Sequence, residues 1–197
     1  MDLHISYITK LTAIELGEYP GAEVLGWSVS SGCELSDIIE IIVETIAREV
    51  ILQLPLSECT FLLDMRDHLR RSTDWGDEPP YQCEMPSDFL RLHSLKMKDW
   101  PRPLSEEYRG DEARLALADS APVWLAKRPS RPILEIIPPA SGNYTILRFG
   151  PTSCSDVSIA TYIPDVSYDS EEGMLRNFQP LAIPVLAKKI ASHLKSI

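Results

Sequence analysis

The residues able to do chemistry fall into a few loose groups. Asp64, Asp67 and His68 lie close together and carry two carboxylates and an imidazole, donors that suit a divalent cation. Asp67 and His68 are neighbours that point apart, however, and no second cluster completes a coordination shell. Cys83 stands between His68 and His93 in the sequence. A thiol and an imidazole become nucleophile and base only when the fold brings them within hydrogen-bond reach. Their spacing favours that no more than it favours a buried cysteine and surface histidines. The acidic pairs Glu106-Glu107 and Glu171-Glu172 fall in segments expected to be exposed. Two carboxylates that act on one bond must converge from rigid elements, which adjacency in a loop does not provide. No GxSxG elbow, phosphate loop, GxGxxG or HExxH pattern occurs. The residues therefore assign no catalytic, cofactor-binding or metal-ligating position. The enzyme reading that survives is a site dispersed over Asp64, His68, Cys83 and His93.

Charge narrows the classes further. A formal net charge of -10 over 197 residues excludes a free nucleic-acid binder, which needs a cationic surplus to displace counterions. It equally excludes a polybasic membrane surface. It is compatible with a wall that surrounds DNA and repels it. Cys33, Cys59, Cys83 and Cys154 form no CxxC pair, so they read as reduced, half-buried thiols of a cytosolic protein. Met1-Asp2-Leu3-His4 does not have a leader pattern. The apolar run from Ile38 to Leu56 is broken by Glu40, Glu44, Arg48 and Glu49 and cannot span a bilayer. No internal repeat is present.

The elements that must position these residues read as α+β: helices flanking a small antiparallel sheet or sandwich. Residues 1–33 lack a sustained period and are expected to form an N-terminal arm or extension. Ile5 to Thr9 suits a short β segment, and Tyr19-Pro20-Gly21-Ala22 a turn. The arm either packs on its own fold or crosses to a neighbouring subunit. Residues 34–197 are expected to form one domain. A helix is predicted over 35–54, capped by Ser36 and stopped by Pro55, with an apolar stripe wide enough for two buried faces.

Cys59 to Met65 reads as a strand and Arg66 to Pro80 as a charged loop. Tyr81 to Met85 reads as a strand that turns at Pro86-Ser87-Asp88 into the alternating strand Phe89–Met97, the two forming a half-buried hairpin. The alternation puts Arg91, His93, Lys96 and Lys98 on its wet face. Trp100 closes the edge of the core. Two short helical pieces are expected within 104–128. Three strands, Ile133 to Ile137, Tyr144 to Phe149 and Val157 to Ile163, are expected to form a meander. An acidic loop over 164–173 then leads to a C-terminal helix bearing Leu181, Val185, Leu186, Ile190 and Leu194. Lys188, Lys189 and Lys195 suit its dipole and a solvated face.

The stretch Tyr81-Gln82-Cys83-Glu84-Met85-Pro86-Ser87-Asp88-Phe89-Leu90-Arg91-Leu92 resembles a pattern in tailed-phage head-to-tail connector proteins. There a helical region precedes a strand ending in Leu or Met, Pro, any residue, Asp, then Phe or Leu, any two residues and Leu. A further strand, an insertion, a β meander and a C-terminal helix follow. Lys98–Pro103, Pro129–Pro132, Ile159–Pro164 and the final helix continue the likeness to phage and prophage proteins of gut Bacteroidales, over residues 35–197 in order. The N-terminal segment departs from it. The resemblance implies a structural virion protein, not an enzyme: an adaptor assembled as a ring, usually twelvefold, beneath the portal. Its partners would be copies of itself, the portal protein and other tail or ring proteins. It would enclose DNA without reading it, retain it, and conduct it outward during ejection. Its place would be the virion, and the host cytoplasm during assembly. Trp100 and Trp124 leave open a small-molecule or peptide-binding module.

Overall fold

The computed structural model describes residues 1–17, 34–71, 81–108, 132–138, 145–150, 152 and 156–196. Its helices and three small antiparallel sheets make an α+β fold. The chain forms two compact units, one from Met1–Phe61 with Asp165–Ile197 and one from Leu62–Pro164. The expected division into an arm over 1–33 and a domain over 34–197 does not follow these units. Residues 1–17 are built into the first unit, and 18–33 lie outside the described residues.

The first unit begins with β1 (Leu3–His4) and α1 (Ile5–Leu16). The helix replaces the β segment expected at Ile5 to Thr9. Its β-branched residues favour extended backbone, but Ile5, Ile8 and Thr12 recur at helical spacing and bury one face. The ends are also fixed. His4 Nδ1 accepts the Ser6 N–H at 3.1 Å. Gly17, at φ 88°, turns the chain out through bonds from its N–H to Ala13 and Ile14. The second helix, α2 (Leu35–Gln53), starts one residue ahead of Ser36, which lies inside it. Glu34 occupies the cap, and its N–H donates to Asp37 at 3.1 Å, three residues on. The wide stripe buries Ile39, Val43, Ile46, Ala47, Val50 and Ile51 on one face, while Ile41 is 81% exposed. The unit closes with β8 (Ser167–Asp169), β9 (Met174–Arg176), a short 3-10 turn at Pro180–Ala182 and a helix, here α4 (Ile183–Leu194).

The hairpin of β8 and β9 falls where an acidic loop was expected. Asp169 makes its turn by accepting the N–H groups of Glu171 and Glu172, a local bond that acidic composition conceals. Leu3 pairs with Leu175, giving the order β1-β9-β8. On α4, Leu186, Ala187, Ile190, Ala191 and Leu194 are buried, whereas Leu181 and Val185 are exposed.

The second unit holds two sheets. One has the order β2-β7-β4, from β2 (Leu63–Asp64), β4 (Phe89–Met97) and β7 (Val157–Pro164). The other has the order β3-β6-β5, from β3 (Tyr81–Glu84), β5 (Ile133–Ile137) and β6 (Ile146–Gly150). Two expectations are corrected here. β3 and β4 are not a hairpin, because the corner between them passes the chain from one sheet to the other. Likewise β5 and β6 pair, but β7 leaves them for β4 and β2, so the three do not form a meander. In both cases the partner that buries each inner face is distant in sequence, which local alternation cannot indicate.

The strand predicted over Cys59 to Met65 shrinks to β2, and the expected loop after it begins as the helix α3 (Arg66–Arg71). One apolar cluster draws Leu92, Leu95 and Tyr162 from one sheet and Leu134, Leu147 and Phe149 from the other. Trp100 is buried and meets Phe149 edge-on at 6.3 Å, a packing partner at the strand exit. The helical pieces expected within 104–128 fall mostly outside the described residues. Leu104, which is described, bridges to Leu95.

Candidate functional site

The corner at Met85–Phe89 is the best-organised polar feature of the second unit. The Met85 N–H donates to Thr145 at 2.8 Å, extending the pairing of β3 with β6. Pro86 has no N–H to continue the ladder, and its carbonyl accepts the Phe89 N–H at 3.0 Å. β4 then starts against the far end of β7, with Phe89 opposite Pro164. The Tyr162 hydroxyl donates to Asp88 at 2.9 Å, and the rings of Phe89 and Tyr162 stack with centroids 5.8 Å apart. Burial, then the Asp88 carboxylate, push the Tyr162 hydroxyl well above the ordinary phenol range. It therefore stays protonated and acts as a fixed donor. Chemically the pair is a latch between two strands, not an acid and a base.

The four dispersed candidates separate into two places. Asp64 accepts the Arg66 N–H at 2.8 Å and the Arg66 guanidinium at 2.7 Å, which starts α3. His68, on α3, meets the Glu84 carbonyl at 2.7 Å; a carbonyl only accepts, so Nε2 is the donor. Cys83, beside Glu84, turns into the core instead, and burial pushes its thiol up to about 12. A protonated, buried thiol and an imidazole already bonded to backbone do not make a nucleophile pair.

His93 lies on β4, in the same sheet as Asp64, where its Nδ1 meets the Thr161 hydroxyl at 3.1 Å. Burial lowers its pKa, opposed by Glu107. Thr161 is paired in register with Asp64, so the fold does bring Asp64, Thr161 and His93 to one side of the β2-β7-β4 sheet. The carboxylate is occupied by Arg66. Thr161 stood in the stretch Ile159–Pro164 with no chemical role assigned, and nothing in the sequence linked Asp88 to Tyr162.

Other charged groups are satisfied structurally. Arg91, expected on a wet face, is 6% exposed and pairs with Glu106 at 3.3 Å. Register shifts along β4 interrupt the alternation that would have turned Arg91 outward. Glu172 pairs with Arg176 at 2.7 Å. Lys189 pairs with Glu49 at 3.0 Å, and Lys195 donates to the Glu15 carbonyl at 3.2 Å, near the end of α1. Among the described residues, no group of three or more His, Cys, Asp or Glu is placed to hold a metal, and no helix is long and apolar enough to cross a membrane. Cys33, Trp124 and Cys154 lie outside the described residues. A scan against protein-family models finds no match, and neither the curated proteins nor the solved structures yield one.

Proposed function

We propose that this chain is a structural subunit of a phage head-to-tail connector, a ring protein that lies between portal and tail and surrounds the DNA channel. The observation that carries the reading is the Asp88–Tyr162 bond. It joins the stretch that carries the resemblance, Tyr81–Leu92, to one of the pieces that continue it, Ile159–Pro164. A bond of this kind braces a scaffold by tying the corner before β4 to β7. The chemistry found at the other candidates is consistent with mechanical work: Asp64 pairs with Arg66, His68 bonds to backbone, Cys83 is buried and His93 meets the Thr161 hydroxyl. The net charge of -10 suits a lumen past which DNA slides. The binding-module alternative leans on Trp100 and Trp124; Trp100 is buried in the core, and Trp124 lies outside the described residues.

The test is light scattering on the purified chain, alone and mixed with a candidate portal protein. The expected outcome is a closed oligomer of uniform mass, either spontaneously or on the portal. A chain that stays monomeric at high concentration and ignores the portal overturns the proposal.

A further inference from the structure

The chain leaves the first unit after Phe61 and returns to it at Asp165. Backbone at such crossings often has no ladder partner, and its polar groups must be satisfied another way. At the outgoing crossing Gln179 does this. It is fully buried, its Oε1 accepts the N–H groups of Thr60 and Phe61 at 3.0 and 2.9 Å, and its Nε2 donates to the Phe61 carbonyl at 2.8 Å. A side-chain amide carries the donor and acceptor of a peptide group, so it substitutes for a missing strand. At the returning crossing Asn177 donates from Nδ2 to the Asp165 carbonyl at 3.2 Å. The Asp165 carboxylate is paired with Arg48 and accepts the Val166 N–H at 2.9 Å.

The two amides ride on one short segment. Asn177 takes φ 61°, a left-handed conformation that asparagine tolerates better than most residues. Phe178 is buried, and its N–H donates to the Met1 carbonyl at 2.9 Å. Pro180 follows and stiffens the exit. A displacement of this segment therefore strains both sets of bonds at once. We propose that Asn177 and Gln179 form a clasp holding both ends of the first unit's chain, so that the segments at Thr60–Phe61 and Asp165–Val166 loosen as one event while the apolar cores stay folded.

Amide hydrogen exchange on the full chain tests this through the crossing that each substitution does not touch. Asn177→Gly removes the return bond and preserves the left-handed backbone. It is expected to speed exchange at Thr60 and Phe61 about tenfold, the loss of roughly one hydrogen bond, with Ile46, Ile190 and Leu92 unchanged. Gln179→Glu keeps the acceptor but loses the donor, and is expected to speed exchange at Val166 likewise. If this buried charge prevents folding, Asn177→Gly decides alone. Acceleration confined to the crossing next to each substitution, or an equal rise at every amide, overturns the clasp.

Discussion

In the second unit the chain is held by strand ladders laid over one apolar cluster; in the first, much of the holding is done by side chains that reach for distant backbone. Leu92, Leu95, Leu134, Leu147 and Phe149 are all fully buried in the former. In the latter, Glu44 accepts the Tyr168 N–H at 2.9 Å, Lys195 reaches the Glu15 carbonyl, and Asn177 and Gln179 hold the crossings. Arg176 gathers Asp2, Asp169 and Glu172. The first unit has buried aliphatics too, but its short strands need these polar links. Ladders and cores fail by losing apolar volume, whereas polar links fail by leaving a backbone group unpaired. The two units are therefore vulnerable to different substitutions.

The largest separation is expected from Phe149→Ala, which empties a site against Trp100 and Tyr81. Loss of a buried aromatic costs about 3–5 kcal/mol. Urea unfolding followed by exchange at Leu92 and Leu147 is expected to show the loss, with Ile46 and Ile190 less affected. An equal effect in both units would break the comparison.

Legibility cuts across the two units. The strand Phe89–Met97 and the stripe of α2 were readable because the hydrophobic period repeats within a few residues, although register shifts along β4 turned Arg91 inward. The choice of partners was not. That β3 joins β6, and β4 joins β7, depends on which faces close a core across many residues. The hairpin at Ser167–Arg176 was hidden because its strands are three residues long and its turn is made by an Asp side chain. Of the site, Asp88 and Ile159–Pro164 stood in the quoted motifs, but their contact spans 74 positions and has no local signal.

A smaller effect is expected in the first unit from Gly17→Ala. The added Cβ meets nothing within 4 Å, so the cost is the left-handed backbone alone, about 1–2 kcal/mol. Thermal unfolding measures it, and a neutral result would mean that the end of α1 reshapes freely. The smallest effect is a pH dependence in the second unit. Because His93 binds its proton less readily when folded, the unfolded chain protonates first as pH falls. Its contribution is fully present above about pH 6.5, declines as pH drops through that value, and levels off once the folded form is protonated. Partial exposure keeps it small. His93→Gln is expected to flatten that part of the stability profile, and an unchanged slope would assign it to other groups.

The pairing of Leu3 with Leu175 has a consequence in time. A ribosome finishes the second unit's stretch at Pro164 before it has made any residue of β8, β9 or α4. Until those emerge, α1 and α2 lack the partners that cover Ile8, Ile39 and Val43. For that interval α1 and α2 are an unfinished part of the nascent protein, and they are where a chaperone would bind it.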